Sequence, residues 1–332
     1  MLSRLKSDDV ATALWLTLRH LASSGYRFTT PTPLTHQRVL ARRGAQMAAN
    51  LHDVFGLNMP FKIATCDGMT RELLAAMRGA GVLQTRGDVL QSRVRVASLG
   101  DDLFVHSAYS STQDDAVFFG PDTYRFARFI QHGVASLPTT GAQPVRLLDV
   151  GCGSGAGGIV AARALAQSGP LEVCMNDINP LALQYTSVNA SFAGVPVKPA
   201  LGNALRAVKG DFDLIISNPP YLDDVAQSAY RHDGARVGKA LSVRIGEEAL
   251  ARLAPGGRLL LYTGAAIVGG VDSFLADMQP MLEHAQTGNQ FDWSYSEIDP
   301  DVFGEKLDQP VYKHVDRIAA VGLTVTRKTA VL

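Results

Sequence analysis

From Val145 onward, short apolar runs alternate with stretches whose apolar residues recur at helical spacing. Alternating strands and helices form a parallel sheet, because consecutive strands that run the same way need a crossover helix between them. The predicted strands are Arg146–Val150, Leu171–Met175, Phe212–Ile216 and Arg258–Tyr262, and the predicted helices are Gly157–Gln167, Pro180–Phe192 and Val243–Leu253. Two later strands are predicted at Phe291–Ile298 and Ile318–Arg327. This pattern indicates an α/β fold, a mostly parallel sheet with helices on both faces.

The first 110 residues have a different pattern. Three helices are predicted at Asp9–Ser23, Thr35–Val54 and Thr70–Gly79, followed by a hairpin of Val89–Ser98 and Asp102–Ala108. This order predicts a small α+β domain of winged-helix type over residues 1–110, a connector over 111–144 and a second domain over 145–332. Residues 1–110 contain 13 Lys or Arg and 8 Asp or Glu. That surplus is small for a nucleic-acid-binding surface, so a packing or substrate-covering role is favoured.

The composition excludes several classes of protein. The chain of 332 residues has 46% apolar and 19% charged residues and a formal net charge of zero, which predicts a folded protein that is not steered toward polyanions. Its three cysteines, Cys66, Cys152 and Cys174, are odd in number and far apart, which argues against a disulfide framework or a cysteine-based zinc site. With no long apolar run and no signal-peptide core at the N-terminus, we expect a cytoplasmic protein without a membrane segment.

A glycine-rich turn follows the first strand of the α/β region. Asp149, Gly151, Gly153 and Gly155 alternate with other residues between this strand and the next helix. Glycine lets the backbone turn sharply and approach a ligand, and a helix N-terminus presents free N–H groups. The spacing differs from the G-x-G-x-x-G of nicotinamide enzymes, and Asp149 suits a ligand with an ammonium group. A dinucleotide site and a plain strand-to-helix turn remain alternatives.

Candidate polar residues also lie in the next two connections of the α/β region. Asp177 lies where a carboxylate can accept hydrogen bonds from the two hydroxyls of a ribose. Its alternative role, shared with Asn179, is to cap the following helix, and Asn176 is a neighbouring candidate for the ribose. Asn203 lies in the next connection, where it either bonds to an adenine amine or serves as a turn residue.

The run Asn218-Pro219-Pro220-Tyr221 closes the strand Phe212–Ile216. The Asn218 side chain and the Pro219 carbonyl are acceptors for an N–H₂ group, and the two prolines restrict the backbone that holds them. Tyr221 adds a flat π-face for a planar amide or base, or for a methylsulfonium. Termination of a strand by Pro-Pro is the alternative, but the flanking Asn and Tyr favour a site that presents a nitrogen.

These motifs resemble those of class I S-adenosylmethionine-dependent methyltransferases of the small-domain group, and are most similar to the release-factor glutamine N5-methyltransferase family. The matching runs are Phe119–Thr123, Leu148–Gly155, Asp177–Leu183 with Asn189, and Asp213–Tyr221, within about residues 117–264. The resemblance implies a Rossmann-like domain that binds S-adenosylmethionine through Asp149, Gly151, Gly153 and Asp177. It implies that Asn218 and Tyr221 hold the accepting nitrogen and that Thr123 lies near the methionine moiety.

The chain departs from this family at three places. Asn203 stands where the family usually has an acid, the N-terminal region suggests a winged helix rather than five helices, and Glu297–Lys306 is an insertion between the last strands. These departures leave the substrate open. The leading hypothesis is N-methyl transfer to an amide or amine of a protein or small molecule.

Three other functions are compatible with the motifs. A nucleic-acid base N-methyltransferase would use the mildly basic N-terminal region and flip the base out of its stack. A cyclase would close the amino nitrogen of S-adenosylmethionine onto its own side chain, forming azetidine-2-carboxylate and methylthioadenosine. A binding protein with a vestigial fold is the non-enzymatic alternative. The sequence leaves the oligomeric state open.

Overall fold

The computed structural model describes residues 7–108, 115–135, 137, 143–221 and 237–329. These residues divide into two compact units. The first unit contains Met1–Tyr124, Gly153–Ala156 and Asn179–Pro196, and the second contains Arg125–Cys152, Gly157–Ile178 and Val197–Leu332. Each unit therefore draws on segments that are distant in sequence.

The described helices and strands alternate as the sequence predicts. The α-helices are α1 Ser7–Ser23, α2 Pro33–Arg43, α3 Arg71–Gly79, α4 Pro121–Val134, α5 Ala156–Ala164, α6 Pro180–Ala193, α7 Val237–Leu250 and α8 Ser273–Thr287. The strands are β1 Leu83–Arg86, β2 Val89–Ser92, β3 Val94–Leu99, β4 Asp102–Ser107, β5 Val145–Val150, β6 Leu171–Asp177, β7 Lys198–Leu201, β8 Phe212–Ser217, β9 Leu253–Val268, β10 Val271–Asp272, β11 Phe291–Asp299 and β12 Arg317–Arg327.

The first unit is an α+β region in which two antiparallel hairpins, β1–β2 and β3–β4, follow three helices. Thr70 caps α3 as expected, because its side chain accepts a hydrogen bond of 3.2 Å from the Leu73 backbone N–H. Helix α6 shares the apolar core of this unit, with Ala182, Tyr185 and Val188 in one cluster with residues of α1 and α3.

Two predictions for this unit are wrong in detail. The helix predicted over Thr35–Val54 ends at Arg43, because Gly44 adopts φ 57° and its N–H bonds to the Leu40 carbonyl. The strand predicted over Val89–Ser98 breaks at Arg93 into β2, which pairs with β1, and β3, which pairs with β4. The turn between β3 and β4 lies where it was predicted.

The second unit contains an eight-stranded sheet with the order β11-β12-β9-β8-β5-β6-β7, and β10 pairs with β9 off this path. Strands β7, β6, β5, β8 and β9 are parallel, and β12 is antiparallel to both of its neighbours. From β5 the chain adds β6 and β7 on one side and β8 and β9 on the other. The order therefore reverses between β5 and β8, and in open α/β sheets ligands bind at this point.

Helices cover both faces of this sheet, as predicted. Ile215, Leu259 and Leu261 share a buried cluster with residues of α7 and α8. Their neighbours in the strands point the other way. A Cβ on Gly133 of α4 would lie 2.5 Å from the Leu260 side chain, and the Phe126 ring of α4 lies 5.9 Å from that of Tyr262.

Strand β7 and helix α8 escaped the sequence prediction. Strand β7 is a four-residue edge strand with mostly exposed side chains. Its sequence contains a proline and shows neither apolar alternation nor residues of high β-propensity. Helix α8 has Pro280 in its interior, a residue that normally ends a helix.

Asn189 connects three parts of the first unit, and we expect it to be important for stability. Its fully buried side chain accepts a hydrogen bond of 2.8 Å from the Val105 N–H and donates to the carbonyls of Val105 and Ser154 at 3.0 and 2.9 Å. Asn189→Leu strands these backbone groups without partners, which is expected to lower the free energy of unfolding by about 2–4 kcal/mol. Urea denaturation measures this loss. Exchange of exposed Ser187 for alanine on the same helix is the control, and an equal loss in both variants would contradict the role of Asn189.

Candidate functional site

The strand register brings the predicted motifs to one edge of the sheet. Val150 at the end of β5 is paired with Asn176 of β6 and with Ser217 of β8, and Asp177 is paired with Leu201 of β7. The glycine-rich turn, Asp177, Asn203 and the Asn-Pro-Pro-Tyr run therefore all leave neighbouring strands at the carboxyl edge. The point where the strand order reverses lies between the first and the last of these motifs.

Asp149 is buried beneath the glycine-rich turn. Its Oδ2 accepts a hydrogen bond of 2.7 Å from the Gly158 N–H in the first turn of α5. A Cβ on Gly157 or Gly158 would lie 3.1 or 3.2 Å from this oxygen, so both glycines allow the helix to approach the carboxylate. Burial raises the pKa of Asp149 to about 7, opposed by the Gly158 N–H and reinforced by the negative charge of Asp177. Among these interactions Asp149 has no cationic partner.

The glycines of the turn have backbone conformations that other residues rarely adopt. Gly151, Gly153 and Gly155 have φ values of 70°, 55° and 78°. A Cβ on Gly151 would meet nothing within 4 Å among the described atoms, so the backbone borders open space there. At Gly155 a Cβ would come within 3.0 Å of Thr186 Oγ1, which donates to the Gly153 carbonyl.

Asn176 has a structural role that excludes the alternative in which it binds ribose. Its side chain is 1% exposed and donates to the Ala200 and Gly202 carbonyls at 3.0 and 2.9 Å. Its own carbonyl accepts hydrogen bonds of 2.9 Å from both Gly151 and Cys152. Asn176 therefore ties together the ends of β5, β6 and β7, and Asp177 stays the candidate for the ribose.

Two apolar residues beside Asp177 were missed by the sequence analysis. Ile178 is 69% exposed and Leu201 is 60% exposed, although both follow or end strands of the sheet. Large apolar side chains that remain exposed beside a carboxylate fit a nucleoside, because its base has two apolar faces and its ribose has two hydroxyls. In the sequence, Ile178 could have been noticed as a candidate because it is an apolar residue directly after Asp177.

Asn203 has a partner that the sequence did not reveal. Arg244 of α7 donates a hydrogen bond of 2.6 Å to Asn203 Oδ1. The carboxamide oxygen predicted to accept from an adenine amine is thus engaged, and the Nδ2 group is the atom left to meet a ring nitrogen. The predicted adenine contact of Asn203 stays a prediction.

The Asn-Pro-Pro-Tyr run is held by β8 and β9. Ser217 is fully buried, and its Oγ donates to the Val150 carbonyl at 2.8 Å, which fixes the chain immediately before Asn218. Asn218 is half-buried and Pro219 is buried. The Tyr221 ring lies directly on Gly264 of β9, where a Cβ would come within 2.1 Å of two ring carbons. The residues that follow, 222–236, lie outside the described ranges.

Thr123 lies in the first turn of α4, in the first unit. It is buried, and its Oγ1 accepts a hydrogen bond of 3.2 Å from the Gly120 N–H while its own N–H bonds to the Gly120 carbonyl at 2.9 Å. The Thr123 hydroxyl therefore has a hydrogen-bond partner at the start of the helix. Its predicted position near a methionine moiety stays a prediction.

The reversal of strand order, the antiparallel last strand pair and the glycine-rich turn after β5 define the class I, Rossmann-like methyltransferase fold, whose cofactor is S-adenosylmethionine. Residues 134–291 match the family model "Methyltransferase small domain". In the part of the chain that the structure describes, no helix is both long and apolar enough to span a bilayer.

Curated relatives match the same region. The chain is 38% identical over 126 residues to the release factor glutamine methyltransferase of Deinococcus radiodurans, covering 35% of this chain and 44% of the relative. It is 30% identical over 121 residues to the ribosomal RNA small subunit methyltransferase C of Serratia proteamaculans, covering 36% of this chain and 31% of the relative. The chain thus spans less than half the length of either relative. The crystal structure of Trm5b from Pyrococcus abyssi aligns with a TM-score of 0.45 and 15% identity, over 74% of this chain and 62% of Trm5b.

The buried Asp149 carboxyl predicts a pH dependence of stability. Because its pKa in the folded protein is about 7, against 3.8 for an exposed carboxyl, the native state binds more protons than the unfolded state between these values. This part of the stability is therefore present at low pH and is lost as pH rises toward 7. Asp149→Asn is expected to raise the free energy of unfolding at pH 8 by about 2–4 kcal/mol relative to the wild type, and to change it little near pH 4.

Urea denaturation of both proteins from pH 4 to 8 measures this difference. An exchange of the exposed Asp292 for asparagine is the control, since it alters charge without burial. A constant difference between Asp149→Asn and the wild type across this range would contradict the raised pKa.

Proposed function

We propose that this protein is an S-adenosylmethionine-dependent N-methyltransferase that acts on an amide or amine nitrogen of a protein or small molecule. The observation that carries the proposal is the pairing of Val150 with Ser217 on adjacent parallel strands. Because of this pairing, the glycine-rich turn after β5 and the Asn-Pro-Pro-Tyr run after β8 leave the sheet side by side, so a methyl donor and a nitrogen acceptor would meet between them.

The residues at the sheet edge fit the chemistry of S-adenosylmethionine. The Asp177 carboxylate would accept hydrogen bonds from the ribose hydroxyls, and Ile178 and Leu201 would lie against the adenine. Asp149 would supply the negative charge for the ammonium of the methionine moiety, with the backbone of Gly151 bordering it. When bound, this cofactor supplies an electrophilic methyl group on a sulfonium.

Asn218, Pro219 and Tyr221 would hold the accepting nitrogen. The Asn218 Oδ1 and the Pro219 carbonyl would each accept a hydrogen bond from an N–H of the substrate nitrogen. These two hydrogen bonds would aim the nitrogen lone pair away from the two oxygens and toward the methyl carbon. In the transfer the nitrogen–carbon bond forms as the carbon–sulfur bond breaks, the electron pair stays on sulfur, and the nitrogen releases a proton to solvent. Such positioning contributes about 7–11 kcal/mol to lowering a barrier of this kind.

Substitution of Asn218 tests the role of this run. Asn218→Ala removes one of the two acceptors and is expected to lower methyl transfer at least 100-fold, while the dissociation constant for S-adenosylhomocysteine changes less than twofold. Transfer of label from methyl-labelled cofactor to cell extract measures the first quantity, and calorimetry measures the second. Exchange of Asp211, exposed directly before β8, for asparagine is the control. Retained transfer in Asn218→Ala would refute the proposed role.

The product spectrum separates the proposed reaction from its alternatives. With purified protein and labelled cofactor, we expect label in protein or small molecules of the extract and none without an acceptor. Release of methylthioadenosine from cofactor alone would instead establish the cyclase, and label confined to nucleic acid would establish a base methyltransferase. If the protein fails to bind S-adenosylhomocysteine, the remaining hypothesis is the non-enzymatic one, a binding protein with a vestigial fold.

Gly264 offers a second test that leaves every proposed catalytic residue in place. Its backbone is extended, so alanine brings no conformational strain, but the added Cβ would overlap the Tyr221 ring. We expect Gly264→Ala to move this ring and to lower methyl transfer about 10- to 100-fold at unchanged cofactor affinity. Ala265→Gly on the same strand is the control. Full activity of Gly264→Ala would show that the position of the Tyr221 ring is unimportant.

A further inference from the structure

The segment between β11 and β12 is built into the second unit rather than looped out from it. Arg125 of α4 forms an ion pair of 2.7 Å with Asp299 at the end of β11. The Val302 N–H bonds to the Ile318 carbonyl at 2.8 Å, and the side chains of Val302 and Tyr312 are 4% and 5% exposed. Two short 3-10 turns, Gly304–Asp308 and Pro310–Tyr312, occupy the segment between these anchors.

Phe303 has an unusual backbone in this anchored segment. Its φ of 55° and ψ of 39° lie in the left-handed region, which an aromatic L-residue adopts only when its surroundings impose it. Residues strained in this way cluster at sites where a side chain has to be aimed. Here the buried Val302 precedes Phe303 and the turn Gly304–Asp308 follows it.

The Phe303 side chain meets the acceptor motif. Its ring contacts that of Tyr221 edge to face, with centroids 6.3 Å apart and an angle of 61° between the planes. Tyr221 therefore has two contacts that restrict its ring, the backbone of Gly264 and the ring of Phe303. Edge-to-face aromatic pairs have a preferred geometry, so this contact selects one orientation of the Tyr221 ring.

We propose that Phe303 is a positioning residue for Tyr221 and that the segment Asp299–Asp308, which carries it, forms one wall of the acceptor site. This inference rests on the proposed methyl transfer. It assigns a function to the insertion that distinguishes this chain from the family that its motifs resemble.

The charge of the segment defines which acceptors such a wall admits. Asp299–Asp308 contains four acidic residues and one basic residue, which are Asp299, Asp301, Glu305, Asp308 and Lys306. Asp299 is paired with Arg125, and the other three acidic residues would repel the phosphates of a nucleic acid but not a neutral or cationic acceptor. The aromatic pair adds a preference for a planar group, so the wall fits a carboxamide without phosphates nearby.

Substitutions of Phe303 test the proposal. Phe303→Gly removes the ring and suits the left-handed backbone, so the segment is expected to stay folded and the melting temperature not to fall. We expect methyl transfer to drop about tenfold, with a higher KM for the acceptor and a cofactor dissociation constant within twofold of the wild type. Phe303→Tyr keeps the ring and should restore activity. Lys313→Ala is the control, because Lys313 is exposed and lies between β11 and β12 but outside Asp299–Asp308.

A spectroscopic measurement of the Tyr221 ring keeps this test separate from the proposed function. In protein with ¹³C-labelled tyrosine rings, the Tyr221 resonances are expected to shift in Phe303→Gly and to remain in place in Phe303→Tyr. If the wild type transfers no methyl group but these resonances shift, the methyltransferase proposal fails and the positioning contact stands. Unshifted resonances, wild-type transfer by Phe303→Gly, or equal losses of transfer and cofactor affinity would overturn the inference.

Discussion

The candidate site depends on the hydrogen bonds of one buried amide. Asn176 is the next-to-last residue of β6. Its backbone carbonyl accepts from the Gly151 and Cys152 N–H groups, and its side chain donates to the Ala200 and Gly202 carbonyls. These hydrogen bonds hold the ends of β5, β6 and β7 at a fixed spacing, at the point where the regular hydrogen bonding between the strands ends. A buried amide is costly unless its groups are paired, so this arrangement forms as a whole or is lost as a whole. The positions of the glycine-rich turn, Asp177 and Asn203 all follow from it.

At the same edge, burial makes the ionised form of Asp149 unfavourable. Asp149 is buried with an N–H partner, and its raised pKa reports that its ionised form is unfavourable in the folded chain. Such a residue lowers the stability of the protein alone and gains from a ligand that brings positive charge. In the proposed function, the ammonium of the cofactor would offset this cost. Gly157 and Gly158 make the arrangement possible, because any side chain there would crowd the carboxylate.

The acceptor side is organised by packing instead of by charge. The backbone of Gly264 lies against the Tyr221 ring, and Phe303 meets that ring at its edge. Pro219 and the buried Ser217 restrict the chain before it. Two elements far apart in sequence, β9 and the segment after β11, thus define the place of one aromatic ring that follows β8. The family likeness of residues 134–291 indicates the cofactor class, whereas these contacts would shape the proposed acceptor side.

The sequence by itself determined the α/β alternation, the places of most strands and helices, and the two motifs that follow β5 and β8. These are local properties, since apolar period, capping residues and glycine or proline turns act over a few residues. Only the tertiary structure decided that α6 belongs with the N-terminal region, that Asn176 is structural, that Asn203 meets Arg244, and that Phe303 reaches Tyr221. Each of these depends on contacts between residues more than 20 positions apart or on which elements share a core. Strand β7 was missed because pairing with β6 stabilises it against its local propensity, and helix α8 was missed because packing in the core does so.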